Sequence, residues 1–143
     1  MKIATLLAIA AVTTLPLAAA ASAQDGGRTF RLTMTGAAEV PGPGDPDGTG
    51  TAVIRVNPGQ ERVCYELTAQ NIEPATAAHI HRVPPDPGPV VVPLDPPTDG
   101  SSDGCATVTR ALAQDIIRNP DNFYVNVHNT PFPGGAIRAD FSR

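Results

Sequence analysis

From residue 29 onward, the chain consists of short segments in which apolar and polar residues alternate, separated by clusters of proline and glycine. The 143 residues include 16 prolines and 13 glycines, spread widely enough to interrupt any long helix. Short alternating segments between turn-forming clusters are typical of antiparallel sandwiches and barrels. The pattern therefore predicts an all-β fold, an antiparallel, Greek-key-like sandwich or barrel of about eight strands.

One short helix is predicted among the strands. The predicted strands are Thr29–Gly36, Thr51–Asn57, Arg62–Ala69, Thr76–Val83, Val90–Leu94, Cys105–Val108, Phe123–Asn129 and Ala136–Phe141. For the helix, Thr109 is a good N-cap, and apolar residues follow at helical spacing from Ala111 to Ile117. The pair Asn119-Pro120 is expected to end it.

The first 23 residues have the features of a secretory signal peptide. Lys2 precedes an apolar stretch, which ends in the small-residue cleavage pattern Ala-Ser-Ala at residues 21–23. Polar residues and a proline interrupt this stretch, so a membrane-spanning helix is not expected. We therefore predict a signal peptide at 1–23, one domain at 24–143, and export to the periplasm or full secretion without membrane insertion.

The charge balance argues against two classes of partner. The formal net charge is −4, and it becomes −5 once Lys2 is removed with the signal peptide. An acidic surface repels nucleic acid and anionic lipid, so neither is expected to bind. The remaining partner classes are a metal ion and another extracellular protein, and the oligomeric state stays open.

Two cysteines, Cys64 and Cys105, lie in segments predicted to be strands. In an oxidising compartment, two cysteines of a small domain usually pair, so a disulfide between them is expected. Both alternate with apolar neighbours, Val63 and Ala106, which puts the two sulfurs on the face opposite the core. A thiolate ligand to a metal is the alternative.

The histidines carry the main chemical prediction. His79 and His81 form a His-x-His pair, and His128 stands in a second predicted strand. Successive side chains of a strand alternate between faces, so the pair projects from one face, opposite Ala78 and Ile80. A third imidazole from a neighbouring strand would complete a three-nitrogen metal site, for copper first and zinc second, with one coordination position open. Hydrogen bonding within the sheet is the alternative role.

Three more residues are expected near this site. Tyr124 and Asn126 share the outward face of His128 and are candidates to support the ligands. Arg138 either holds an anion near the site or pairs with an acidic neighbour.

The acidic segment 45–50 is loosely similar to a calcium loop, but a plain turn is favoured because the later acidic ligand is missing. The chain has no nucleophile elbow and no glycine-rich phosphate loop, so no hydrolase or transferase activity is expected.

Several motifs resemble those of the CHRD domain, which is named from chordin and also occurs in exported microbial proteins. They are Ala78-His79-Ile80-His81, the segment 88–94, Tyr124-Val125-Asn126-Val127-His128-Asn129, the segment 132–138, and in the N-terminal part the segments 32–41 and 50–52. The resemblance covers nearly all of residues 24–143. The family often has Glu, Gly and Gln where this chain has Ala136, Ala139 and Asp140. The resemblance implies an all-β domain but no particular biochemical activity.

A weaker resemblance is to the sandwich of copper/zinc superoxide dismutase. That enzyme also has a His-x-His strand, a later strand ending in histidine, an Arg after a glycine-rich turn and an intrachain disulfide. With three histidines in all, this chain lacks the fourth copper ligand, the bridging histidine and the histidine-rich zinc loop. Dismutase activity by that mechanism is therefore not expected, and any copper redox chemistry would depend on the triad alone.

Two functions remain in competition at this point. The histidine triad favours an exported metal-binding protein, with copper as the preferred ion. The long proline-rich loops favour an extracellular protein-interaction module that has neither a metal nor a catalytic activity, because rigid exposed loops are common recognition surfaces.

Overall fold

The computed structural model describes residues 27–142, and eight strands and one α-helix form within that range. The strands are β1 (Arg28–Thr35), β2 (Thr49–Asn57), β3 (Arg62–Gln70), β4 (Ala75–Arg82), β5 (Val90–Leu94), β6 (Ser101–Thr107), β7 (Phe123–Asn129) and β8 (Ile137–Asp140). The helix α1 spans Arg110–Arg118, and two short 3-10 turns cover Gly36–Ala38 and Pro120–Asn122. The predicted eight-stranded β fold with one short helix is confirmed. The predicted signal peptide, residues 1–23, lies outside the described residues.

All eight strands belong to one antiparallel sheet. Their order is β5-β4-β7-β8-β1-β2-β3-β6, and the two edge strands, β5 and β6, come into contact. The sheet therefore curves into a nearly closed barrel, which leaves little unpaired strand edge open to solvent.

A side chain of β3 ties the two edges of the sheet together. The hydroxyl of Tyr65 donates a hydrogen bond to Asp95 Oδ2 at 2.9 Å and accepts one from the Asp95 backbone N–H at 2.9 Å. Ser102 of β6 donates to the carbonyl of Asp95 at 2.7 Å. Because Asp95 directly follows β5, these bonds hold β5 against β3 and β6.

The core fills the inside of the barrel with the apolar residues of the alternating pattern. In β1 and β2, every second residue is buried. The largest fully buried side chains include Phe123, Met34, Ile54, Leu67, Ile80, Ile116 and Ile137. Burying these apolar surfaces is the main favourable contribution to folding.

The helix α1 packs against β2 and β3. The hydroxyl of Thr109 caps it by accepting a hydrogen bond from the Leu112 N–H at 3.1 Å, as the sequence predicted. Ala113 and Ile116 are buried in the core. Among residues 27–142, no helix has the length and apolar character that a membrane crossing requires.

The predicted disulfide between Cys64 and Cys105 is present. The two residues lie directly opposite each other in the pairing of β3 with β6. Cys64 is half-buried and Cys105 is exposed, so the bridge lies on the outer face of the sheet, as expected from the alternation.

Candidate metal centre

The pairing of β4 with β7 brings the predicted site residues together. His79 lies opposite Asn126, and His81 lies opposite Tyr124. His128 is two residues after Asn126, so its side chain emerges on the same face of the sheet. All five side chains therefore share one patch on the outer surface of the barrel, where sequence reasoning placed them.

The three imidazoles converge closely enough to share one ion. One ring nitrogen from each of His79, His81 and His128 lies within 4.8 Å of the other two. His79 Nδ1 is 3.2 Å from His128 Nε2. Two neighbouring nitrogen ligands of one zinc or copper ion are about 2.9–3.4 Å apart, so this pair already has the required spacing. A separation of 4.8 Å would have to shorten by about 1.5 Å.

His81 is oriented by the loop that follows its own strand. Its Nδ1 is 2.7 Å from the carbonyl oxygen of Gly88, which only accepts, so Nδ1 carries the proton and Nε2 keeps a free lone pair. Within the described residues, His81 Nε2 is buried and has no hydrogen-bond partner. Position 88 has to be glycine, because a Cβ there would collide with the carbonyl oxygen of Arg82.

A second loop contacts His128. Its Nδ1 is 3.1 Å from the carbonyl oxygen of Pro133, and its Nε2 is 2.9 Å from Asn126 Oδ1; both oxygens only accept. A neutral ring has one proton for these two contacts. With the proton on Nδ1, Nε2 has a lone pair that faces His79 Nδ1 at the centre of the triad.

The electrostatics of the patch favour neutral imidazoles. Burial, followed by repulsion from His128 and His81, lowers the pKa of His79 from 6.5 to about 4. Burial is also the main cause that lowers the pKa of His128. Both rings are consequently uncharged at neutral pH, which is the form that binds metals.

A buried stack supports the outer side of His81. Its ring stacks on Tyr124 with centroids 4.6 Å apart, and the guanidinium carbon of Arg138 lies 3.6 Å from the Tyr124 centroid. Arg138 is 4% exposed. It donates to both carboxylate oxygens of Asp86 at 2.8 and 3.0 Å and to Asp140 at 2.9 and 3.1 Å. Of the two roles expected for Arg138, the structure shows the ion pair.

Sequence reasoning missed a buried carboxyl group beside this patch. Glu39 is buried, and the Asn126 side chain and the Val40 N–H lie near its carboxyl group, whose Oε1 has no hydrogen-bond partner within the described residues. Burial raises its pKa from 4.5 to about 7, although Arg138 opposes this shift. Its carboxyl group packs directly on Gly135, where a Cβ would collide with it. The available signal was a lone acid between apolar residues and a proline.

Sequence reasoning also missed the loop residues Asp86 and Gly88. The available signal was their position: both lie in the proline-rich segment that directly follows the His-x-His strand. A segment so close in sequence to two candidate ligands has only a short distance to cover to fold back over them.

The comparisons with known proteins give one match. The family model described as the CHRD domain matches residues 30–141, a range that includes the three histidines and every supporting residue described above. No curated protein and no solved structure matches the chain.

Proposed function

The chain belongs to the CHRD domain family, and from that premise we propose that it is an exported protein that binds a copper ion through His79, His81 and His128. The observation that carries this proposal is the convergence of three imidazole nitrogens within 4.8 Å. The loop carbonyls on the far side of His81 and His128 leave each ring with a lone pair directed inward. Hydrogen bonds of this kind orient metal-binding histidines in known sites.

The choice of ion follows from the chemistry of the ligands. Three neutral nitrogens suit copper or zinc, whereas magnesium and calcium require oxygen ligands. Copper is the first choice because divalent copper binds nitrogen sites more tightly than the other first-row divalent ions, and zinc is the second.

Export is part of the proposal. We infer that residues 1–23 are a signal peptide and that residues 24–143 form the mature domain, in the periplasm or outside the cell. The CHRD domain and the disulfide between Cys64 and Cys105 are consistent with an extracellular protein, because disulfides persist in oxidising compartments.

The arrangement of the loop 83–89 supports metal binding over the alternative of a metal-free interaction module. A recognition loop would present its polar groups to a partner. Here the carbonyl of Gly88 points at His81, and the carboxylate of Asp86 is bound to Arg138. These polar groups of the loop are therefore directed toward the candidate site.

The direct test is a titration of the metal-free mature protein with Cu(II), Cu(I) and Zn(II). Replacing His128 with alanine is expected to weaken Cu(II) binding by more than about 100-fold, because the loss of a direct ligand should exceed the effect of losing a supporting residue. Competition against a chelator of known affinity measures this change.

A matched control separates the triad from other copper-binding groups on the surface. Asp47→Asn removes an exposed carboxylate from the acidic turn at 45–50, and it is expected to leave the Cu(II) affinity unchanged. Equal affinities for the wild type, His128→Ala and Asp47→Asn would contradict the proposal, and so would an absence of Cu(II) uptake by the wild type.

The pH dependence gives a second prediction. Protons compete with the metal only when the ligands take them up, and three histidines that all titrate at 6.5 would together lose about 170-fold in affinity between pH 6.5 and 5.5. The pKa of His79 is about 4, and that of His128 is lowered as well. The fall in Cu(II) affinity over this interval is therefore expected to be well below about 170-fold, and the loss due to His79 should begin near pH 4. The same chelator competition across this pH range checks the prediction, and a full loss of about 170-fold would contradict it.

A further inference from the structure

Asn126 is buried beside the histidines and lies close enough to one of them to bind the same metal ion. It is 1% exposed, lies directly opposite His79 in the pairing of β4 with β7, and has its Oδ1 2.9 Å from His128 Nε2. An oxygen at this distance from a ligand nitrogen has the spacing expected of two adjacent ligands on one ion.

His128 faces more acceptor oxygens than it has protons to donate. Its Nδ1 is 3.1 Å from the carbonyl oxygen of Pro133 and its Nε2 is 2.9 Å from Asn126 Oδ1, and a neutral ring has one proton for the two contacts. With that proton on Nδ1, Nε2 and Asn126 Oδ1 are two neighbouring electron-pair donors, and one metal ion can bind both.

We propose that Asn126 Oδ1 is the fourth ligand of the metal and that Glu39 is the positioning residue that holds the Asn126 amide in place. This inference rests on the proposed metal-binding function. It replaces the open coordination position expected from the histidines alone with a closed set of three nitrogens and one oxygen.

Glu39 is suited to this role because it determines which end of the amide faces the histidines. Its carboxyl group lies beside the Asn126 side chain, and its buried Oε1 has no hydrogen-bond partner within the described residues. An amide whose N–H groups point at Glu39 must point its oxygen toward His128. Glu39 keeps an acceptor oxygen in both protonation states, so it can accept from the amide N–H in either. The absence of a side chain at Gly135 leaves the space that the carboxyl group fills.

A closed site has a functional consequence. Structural metal sites fill all four positions with protein ligands, whereas catalytic sites keep one position for water or substrate. Coordination by Asn126 therefore favours the holding or transfer of an ion over catalysis at the metal.

The test is a titration of the Cu(II)-loaded mature protein with azide, which absorbs strongly when it binds copper. The wild type is expected to resist azide. Asn126→Ala is expected to bind azide readily and to hold Cu(II) about 10- to 100-fold more weakly, a smaller loss than for His128→Ala because copper prefers imidazole nitrogen to amide oxygen. Asn57→Ala is the control, because this asparagine caps the turn after β2, where its Oδ1 accepts from the Gln60 N–H at 3.0 Å.

Two variants of Glu39 test the positioning role. Glu39→Leu removes the acceptor that holds the amide, and it is expected to make the copper accessible to azide. Glu39→Gln keeps an acceptor oxygen of the same shape and is expected to restore resistance. If Glu39 only stabilised the fold, azide resistance would not be lost in Glu39→Leu and kept in Glu39→Gln.

The outcomes separate this inference from the function on which it rests. If the wild type takes up copper but binds azide as readily as Asn126→Ala, the fourth position is open and Asn126 is not a ligand, although copper binding stands. If Asn126→Ala takes up copper and still resists azide, the inference is also overturned. If the wild type takes up no copper, the proposed function and this inference both fail.

Discussion

Replacing Arg138 with methionine is expected to lower the free energy of unfolding by about 3 kcal/mol, the lower end of the range for breaking a buried ion pair. Arg138 is 4% exposed and binds the carboxylates of Asp86 and Asp140. Methionine keeps a long apolar side chain against Tyr124 but leaves both carboxylates without this partner. The side chains of Asp86 and Asp140 are 32% and 24% exposed, so water recovers part of the lost interaction.

The same substitution is expected to weaken metal binding. The ion pair between Arg138 and Asp86 ties the loop 83–89 to the barrel, and the carbonyl that orients His81 belongs to Gly88 of that loop. A loop that is no longer anchored at Asp86 holds this carbonyl less firmly. We expect a loss of about 10-fold in Cu(II) affinity, at the low end of the effects of residues that orient ligands.

Urea unfolding of the wild type and the variant measures the stability change, and an exposed ion pair provides the control. Arg55 binds Glu66 at 2.7 Å, but these side chains are 46% and 57% exposed. Arg55→Met is therefore expected to cost about 0–1 kcal/mol, since solvent screens the pair in the folded protein. Equal losses of stability for Arg138→Met and Arg55→Met would show that burial does not determine how much the Arg138 contacts stabilise the fold.

The strands and the faces of their side chains could be predicted from the sequence because both depend on local alternation. The pattern around Ile80 places His79 and His81 on the outer face whatever the rest of the chain does. Burial of that face could not be predicted, and His81 is only 7% exposed. It is covered because the loop 83–89 folds back and is fixed by Asp86 to Arg138, a residue 52 positions away in sequence.

The contact between Glu39 and the site could not be predicted either. Its neighbours in sequence, apolar residues and a proline, hint at burial but do not show which residues it meets. It approaches Asn126 because the turn after β1 meets the segment that leads into β8, where Gly135 leaves room for a carboxyl group. Contacts between segments so distant in sequence depend on the packing of the completed barrel, which the periodicity of a single strand does not encode.

Removing the disulfide is the second substitution with a large expected effect. The double variant Cys64→Ala/Cys105→Ala is expected to lose up to about 4 kcal/mol of stability on the chain-entropy account, given the 41-residue separation of the two cysteines. The bridge restricts the unfolded chain, whereas in the folded state β3 and β6 remain paired through their backbones. The expected result is a lower urea midpoint with the same fold.

A cross-strand pair on the neighbouring ladder provides the matched control for this experiment. The hydroxyls of Thr51 and Thr68 lie 2.8 Å apart between β2 and β3, so Thr51→Ala/Thr68→Ala also removes a side-chain link from the outer face. It is expected to cost about 0.2–1 kcal/mol, because it leaves the unfolded chain unrestricted. Copper affinity should be unchanged in both double variants, since the histidines lie on β4 and β7. If the cysteine variant loses no more stability than the threonine variant, the bridge does not stabilise the fold by restricting the unfolded chain.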